Sequence, residues 1–333
     1  MNNTINVSLA FDNKYLPYAY VTLYSVFVNN PDNHICAYIL QYDLSDASKN
    51  HLNLLASRFN NSIFFLDVSV EFIKSQLPDI GRWRTEAYFR LLIPELLPPS
   101  VNRIIYIDSD IIVNSSLSEL YSTDISAYDL AGCYDLNIMH ASLDVFLQNR
   151  HESLADSFSQ KTYVNSGMLL LNVDRMRNFR LSNYLDAFEE LEYKIFAPDQ
   201  DLINYVHRDS ILLLDPRKYN YPGYIAYLEG KTSNDLKEST SIVHFVGEKP
   251  WTGGDHAHFP TETLWWDYAL QTIFKDALCS EYIYNTMNDL TIFQYVQGID
   301  TVRNSLYEEN IRLKKELDNA SMQIKQVLSM LGN

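Results

Sequence analysis

Val101-Asn-Arg-Ile-Ile-Tyr-Ile-Asp108-Ser-Asp110-Ile-Ile-Val113 is an apolar, β-rich run that ends abruptly in two carboxylates spaced i, i+2. On an extended backbone that spacing points both side chains the same way. Two oxygen anions held side by side suit a hard divalent cation such as Mg²⁺ or Mn²⁺, and the cation can in turn hold a substrate's phosphates. The run therefore predicts a buried strand that delivers a nucleotide-diphosphate site. A lone Asp-x-Asp can equally be a polar turn after a strand, so the surrounding chain has to decide.

Outward from this run, short β-branched and aromatic segments alternate with helical patterns. Ile5–Phe11, Cys36–Leu40, Ile63–Leu66, Arg103–Ile107, Leu130–Cys133, Gly167–Val173, Ile211–Leu214 and Ser241–Val246 read as strands. Tyr18–Asn29, Ser45–Asn60, Trp83–Ile93, Leu181–Lys194 and Gln200–Val206 read as helices. Such alternation predicts an α/β fold with a mainly parallel sheet covered by helices on both faces. In sheets of this kind ligands bind beyond the carboxyl ends of strands. Polar residues gather at such ends: Ala10-Phe-Asp12 closes the first strand, Asp108 and Asp110 the fourth, Asp135 follows Cys133, and His244 lies in the last.

The chain has 333 residues and a formal charge of −16, which disfavours nucleic acid and anionic membrane surfaces as partners. Any phosphate bound here must be neutralised locally. No basic amino-terminal segment and no uninterrupted apolar stretch of membrane-spanning length is present, so a cytoplasmic protein without a transmembrane segment is expected. Cys36, Cys133 and Cys279 are widely scattered and lack metal-type spacing, which predicts buried, reduced thiols.

Near Pro260 the character changes and a helical region runs to the end. Leu306, Asn310, Leu313, Leu317, Ala320, Ile324, Val327 and Leu331 follow an unbroken four-three spacing. Leu306, Leu313, Ala320 and Val327 take d positions, and Asn310, Leu317, Ile324 and Leu331 take a positions. Either a short coiled coil that makes a homodimer or a helix packed on its own domain satisfies this pattern. The expected organisation is a catalytic domain over residues 1–260, a helical extension over 261–298 and an oligomerisation helix over 299–333.

Six segments, in order, resemble glycosyltransferase family 8, the retaining enzymes that include glycogenin and bacterial lipopolysaccharide α-galactosyl- and α-glucosyltransferases. They are Ser8-Leu-Ala-Phe-Asp12-Asn-Lys-Tyr15, Ala87-Tyr-Phe-Arg90-Leu, Tyr106-Ile-Asp-Ser-Asp110, Val164-Asn-Ser-Gly-Met168, Pro198-Asp-Gln-Asp201 and His244-Phe-Val-Gly-Glu-Lys-Pro-Trp251. The resemblance implies a GT-A type, Rossmann-like nucleotide-sugar fold and transfer of a hexose, galactose or glucose, from a UDP-sugar to a glycan or glycoconjugate hydroxyl with retention. It implies a Mn²⁺ site, with Mg²⁺ as the alternative, formed by Asp108, Asp110 and His244. Donor contacts are implied at Ala10, Asp12, Tyr15, Arg90, Asp108, Ser109, Asp135, Asn165, Ser166, Gly247 and Lys249. Asp199, Gln200 and Lys249 fall in the catalytic positions.

Each residue also has a structural reading. His244 could be a satisfied core residue, Lys249 a solvated surface cation, and Asp12 a cap for the first helix. Arg90 could form an i, i+4 surface pair with Glu86. Asp199 could cap the helix that Pro198 opens, and Asn165 could merely begin a strand. The tyrosines between Tyr219 and Tyr227, with Trp251, Trp265 and Trp266, could stack on acceptor sugars or pack in the core. Gln200, an amide where double displacement would need a carboxylate, favours front-face attack by the acceptor on the side from which UDP departs. A haloacid-dehalogenase-like phosphatase also carries Asp-x-Asp after a strand, but near the chain start and with a hydroxyl two positions later, where this chain has Ile112. A non-catalytic glycan-binding scaffold is the remaining alternative.

Overall fold

The structure is a computed structural model that describes residues 3–72, 85–137, 163–191, 197–253, 259–287 and 290–331. The starts of the expected Trp83 helix and the end of the Lys194 helix lie outside these residues. A seven-stranded sheet has the order β3-β2-β1-β4-β7-β6-β8, with β1 Asn3–Ala10, β2 Asn33–Gln41, β3 Ser62–Asp67, β4 Arg103–Ile107, β6 Leu130–Tyr134, β7 Val164–Asn172 and β8 Ile211–Leu214. A second sheet of β5 Ile111–Val113, β9 Tyr221–Pro222 and β10 Ile242–His244 has the order β5-β10-β9. Neighbours in the large sheet are parallel except at β7, which runs antiparallel to both β4 and β6.

Both faces of the inner strands of the large sheet are buried, which is why those strands are nearly continuous apolar runs. Ile5, Val7, Leu9, Ile35, Ala37, Ile39, Ile105, Ile107, Met168 and Leu170 turn to one face, against Leu23 and Phe27 of α1 (Leu16–Val28) and Leu52 and Leu55 of α2 (Asp46–Arg58). Ser45 caps α2 by accepting from Ser48 N at 3.2 Å. The alternate residues Tyr38, Leu40, Ile104, Tyr106, Leu169 and Leu171 face the other side. There they meet Phe89 of a 3-10 helix (Thr85–Leu92), Tyr184 and Phe188 of the helix Leu181–Glu190, and Leu202 of the helix Pro198–Val206.

Strand order reverses at β1, whose neighbours are β2 on one side and β4 on the other. The carboxyl ends of β1 and β4 thus open a crevice at a topological switch point. The reversed β7 brings its amino end to the same place, pairing Ile107 with Met168. β10 pairs antiparallel with β5 and sets His244 opposite Ile111, next to Asp110.

Several expectations need adjustment. Asp108 and Asp110 stand in the turn between β4 and β5, not on extended backbone. The segment around Arg90 is a 3-10 helix that passes into a short α-helix, Ile93–Leu96. The Ser241–Val246 strand is shorter, and β5 and β9 are additional. All three cysteines are free, but only Cys133 is fully buried; Cys36 and Cys279 are partly so.

Met1–Pro250 and His258–Leu278 form one compact unit, and Trp251–Ala257 with Cys279–Asn333 a second. The first therefore includes the helix Thr263–Ala269, with Trp265 fully buried. The second contains the helices Lys275–Met287, in most of its length, and Leu290–Leu331. The last of these is one continuous helix of 42 residues, without a break near residue 299. Among the described residues no helix is long and apolar enough to cross a membrane.

Ile107 is fully buried at the end of β4, immediately before the acidic turn. Ile107→Ala should lower stability by about 2–5 kcal/mol through lost burial and a residual cavity, read as a reduced urea midpoint with an unchanged slope.

Candidate active site

A cavity of about 470 Å³ opens at the switch point, lined by residues from β1, the 3-10 helix, the β4–β5 turn, β7, the helix Pro198–Val206, and β10 with its following loop. Of the residues singled out from the sequence, Ala10, Asp12, Tyr15, Arg90, Asp108, Ser109, Asp110, Asn165, Ser166, Asp199, Gln200, His244, Gly247 and Lys249 all line it. Asp135 does not; it lies behind Gln200, whose Nε2 donates to Asp135 Oδ2 at 2.9 Å.

The acidic turn is pinned at every residue. Asp108 N donates to Gly167 O at 2.8 Å, Thr22 Oγ1 to Ser109 O at 3.0 Å, and Phe245 N to Asp110 O at 3.0 Å. Ligand atoms of Asp108, Asp110 and His244 lie within 4.8 Å of one another. Asp108 Oδ1 accepts from Arg90 Nη2 at 2.9 Å and from Tyr106 OH at 2.8 Å, which leaves its other oxygen for a cation. Asp110 Oδ1 is buried without a hydrogen-bond partner; His244 Nε2 stands 3.2 Å away but is not aligned to donate to it. Ser109 Oγ is likewise buried without a partner. Orphaned polar atoms at the mouth of a cavity are what a ligand would satisfy. A mixed oxygen and imidazole donor set fits a cation such as Mn²⁺.

Arg90 is buried, so it is not a surface pair with Glu86. It meets Asp108 at 2.9 Å and Asp199 at 3.1 Å, donates from Nη1 to Ser166 O at 2.7 Å, and stacks 4.5 Å from the Tyr106 ring centroid. Removing one partner of such a buried cluster typically costs about 3–5 kcal/mol. Asp199 does not cap its helix. Its Oδ2 accepts from Ser166 Oγ at 2.8 Å, and it is Asp201 that accepts from Ala197 N, at 3.1 Å. Burial raises the Asp199 pKa; Arg90 opposes the rise and Asp108 adds to it. Burial would also raise Asp110, but Lys249 and then His244 outweigh it and hold this carboxyl well below the usual range. Lys249 is no solvated cation: Nζ donates to Asp110 Oδ2 at 2.5 Å and to Phe245 O at 2.9 Å.

Five carboxylates line the cavity, Asp12, Glu86, Asp108, Asp110 and Asp199, against the permanent cations Arg90 and Lys249. Such a field opposes a bare diphosphate and favours a cation beside it. Asp12 Oδ1 accepts from Tyr15 N at 2.8 Å, so the loop after β1 is closed by its own side chain. Gly247 has φ +81, a left-handed conformation that glycine adopts without strain.

Sequence reasoning missed Glu86 and Tyr106 on the cavity wall and Asn220 behind it. Tyr106 reads as an ordinary strand residue, and nothing in the sequence signals that its hydroxyl reaches Asp108. Among the candidate aromatics, Tyr219, Trp251 and Trp265 are buried, whereas Tyr227 is exposed and packs on Phe259 at 5.2 Å.

Residues 6–254 match the family model for glycosyl transferase family 8. The chain belongs to this family. It is 28 % identical over 259 residues to a lipopolysaccharide 1,2-glucosyltransferase of Escherichia coli, covering 74 % of this chain and 73 % of that one. A putative glycosyltransferase of Haemophilus influenzae is 27 % identical over 253 residues, covering 74 % and 72 %. The crystal structure of the galactosyltransferase LgtC with donor and acceptor sugar analogues superposes with a TM-score of 0.66 at 21 % identity, over 81 % of this chain and 96 % of that one. The fold is therefore of the GT-A type, as the sequence predicts, and the protein is a glycosyltransferase by family.

His244 packs directly on the Gly167 backbone: a Cβ at residue 167 would overlap His244 Cε1 and stand 2.9 Å from Nδ1. Gly167→Ala should push the ring aside and weaken divalent-cation binding on the order of tenfold or more, measured by isothermal titration calorimetry. Affinity equal to that of the parent would show that the ring position does not matter.

Proposed function

We propose that this family 8 glycosyltransferase is a metal-dependent, retaining hexosyltransferase that moves galactose or glucose from a UDP-sugar to a hydroxyl of a glycan or glycoconjugate. The convergence of Asp108, Asp110 and His244 in the cavity that Asp199 and Gln200 also line carries the reading. The similarity to a lipopolysaccharide 1,2-glucosyltransferase supports a hexose donor and a glycan acceptor.

A bound Mn²⁺ would neutralise the diphosphate, with Asp108, Asp110 and His244 as its protein ligands. Asp12 offers a carboxylate to the imide N–H of uracil and Tyr15 a ring for stacking, both beside Ala10. Arg90, Asn165, Ser166 and Asp199 would hold the sugar, and Lys249 beside Gly247 would offset charge on the departing UDP. Ser109 Oγ is available to the donor.

Gln200 argues against a covalent intermediate. Its amide is a poor nucleophile, and its Oε1 already accepts from Ser166 N at 3.0 Å and Asn165 Nδ2 at 3.2 Å. The carboxylate behind it, Asp135, does not reach the cavity. The acceptor oxygen therefore bonds to the anomeric carbon on the face from which UDP leaves. The bond from that carbon to the phosphate oxygen breaks, and the acceptor proton passes to the departing β-phosphate. Gln200, held rigid, stabilises the cationic sugar by its carbonyl dipole.

Asp110→Ala should abolish Mn²⁺-dependent UDP release from UDP-galactose and UDP-glucose while circular dichroism stays native. Full turnover in that variant, or in excess chelator, would sink the metal assignment. Gln200→Ala should lower kcat more than it changes KM, and NMR of the product should show the α linkage; a β-linked product would remove the retaining assignment.

We further propose a homodimer through the helix Leu290–Leu331. Leu306, Leu313 and Leu317 are 61 %, 50 % and 70 % exposed, an apolar stripe open to a partner. The side chains of Ile324, Val327 and Leu331 lie outside the described residues. A second copy in parallel register would pair Asn310 with Asn310 and place Glu309 at g near Lys314 at e. A chain ending at Arg303 should keep UDP binding and shift from dimer to monomer in multi-angle light scattering; a full-length monomer at tens of micromolar would overturn the dimer.

A further inference from the structure

Asn220 is 3 % exposed and lies between the short helix Pro216–Tyr219 and β9. Parallel pairing of β9 with β10 sets Pro222 against His244, which brings the preceding Asn220 under the imidazole. His244 Nδ1 and Asn220 Oδ1 are 2.9 Å apart, and Asn220 Nδ2 donates to Asn165 Oδ1 at 2.9 Å.

The orientation of each amide follows from groups that can only donate. Gly167 N meets Asn165 Oδ1 at 3.0 Å, and Ser166 N meets Gln200 Oε1 at 3.0 Å. Both side-chain atoms must therefore be carbonyl oxygens. Asn165 then turns Nδ2 toward Gln200 Oε1 and, at 3.4 Å, Asp135 Oδ2. Its oxygen receives Asn220 Nδ2, so Asn220 presents Oδ1 to His244. An amide oxygen accepts only, so Nδ1 of His244 carries the hydrogen. Nε2 is thereby turned toward the point where Asp108 and Asp110 converge, 3.2 Å from Asp110 Oδ1.

We propose that Asn220 is a positioning residue that holds the Nδ1–H of His244 and so aims Nε2 at the cation site, and that the same amide, through Asn165, ties this ligand to Gln200 and Asp135. Backbone N–H groups of β7 thus set the state of a side chain on another sheet. The inference rests on the proposed metal-dependent function for its consequence, whereas the Nδ1–H bond to Asn220 is a property of the metal-free protein.

The test has two arms. In the metal-free parent, two-bond ¹H–¹⁵N correlation spectra, with His244 assigned by loss of its signals in His244→Gln, should show a protonated Nδ1. An unprotonated Nδ1 overturns the inference whatever the variants do. In the second arm, Mn²⁺ binding in the presence of UDP is measured by electron paramagnetic resonance for Asn220→Leu and Asn220→Asp. Asn220→Leu, which removes both bonds, should weaken Mn²⁺ binding about 10–100-fold. Asn220→Asp keeps the acceptor toward His244 but loses the donor to Asn165, so it should bind Mn²⁺ within a few-fold of the parent while kcat falls with little change in KM. Parent-like binding and turnover in Asn220→Leu would overturn the inference and leave the proposed function standing. A parent protein that binds no Mn²⁺ would overturn both.

Discussion

Because β7 runs against β4, its amino end rather than its carboxyl end arrives beside Ile107. A parallel strand in that place would have offered Asn172 to the crevice and carried Asn165 to the far edge of the sheet. The reversal instead delivers Asn165, Ser166 and Gly167 in succession at the point where the acidic turn begins. Their backbone groups then do as much as their side chains: Gly167 O holds Asp108 N, and the N–H groups of Ser166 and Gly167 orient two amides. The missing side chain of Gly167 makes room for the His244 ring. One strand direction therefore governs the turn, the imidazole and the amide wall together.

The second constraint is electrostatic. Asp108 and Asp199 are brought toward the same small volume, and Arg90 lies between them, 2.9 Å from one and 3.1 Å from the other. A lysine would not serve equally, because the arrangement uses a planar group that bonds to both carboxylates and to Ser166 while lying on the face of Tyr106. Tyr106 in turn spends its hydroxyl on Asp108. Arginine, tyrosine and two aspartates thus form one satisfied cluster, which keeps the wall rigid before any ligand enters.

Much of this was legible in the sequence because it depends on local pattern. The apolar run ending at Asp108, the strand-helix alternation and the order of the polar clusters all survive in a one-dimensional reading. The turn geometry of Asp108 and Asp110 did not, because a run of apolar residues on both sides hides the change from β4 to β5. Strands of two and three residues, such as β9 and β5, are too short to show any period. Asn220 was invisible for a different reason. Its position follows a short helix in a Tyr-rich segment, and nothing local signals that the register of β9 and β10 will put it under an imidazole. The long terminal helix shows the converse case: its four-three spacing is clear in sequence, and its described leucines Leu306, Leu313 and Leu317 are exposed.

The ion pair of Lys249 with Asp110 has a consequence for how the protein is made. Two neighbouring carboxylates in a buried turn would ordinarily repel each other and oppose closure of the fold. Here the ammonium group is a resident counter-ion, supplied by the same polypeptide and delivered by the loop after β10. The charge of the turn is thereby met in part from within the polypeptide, unlike that of small domains whose structure forms only around a metal.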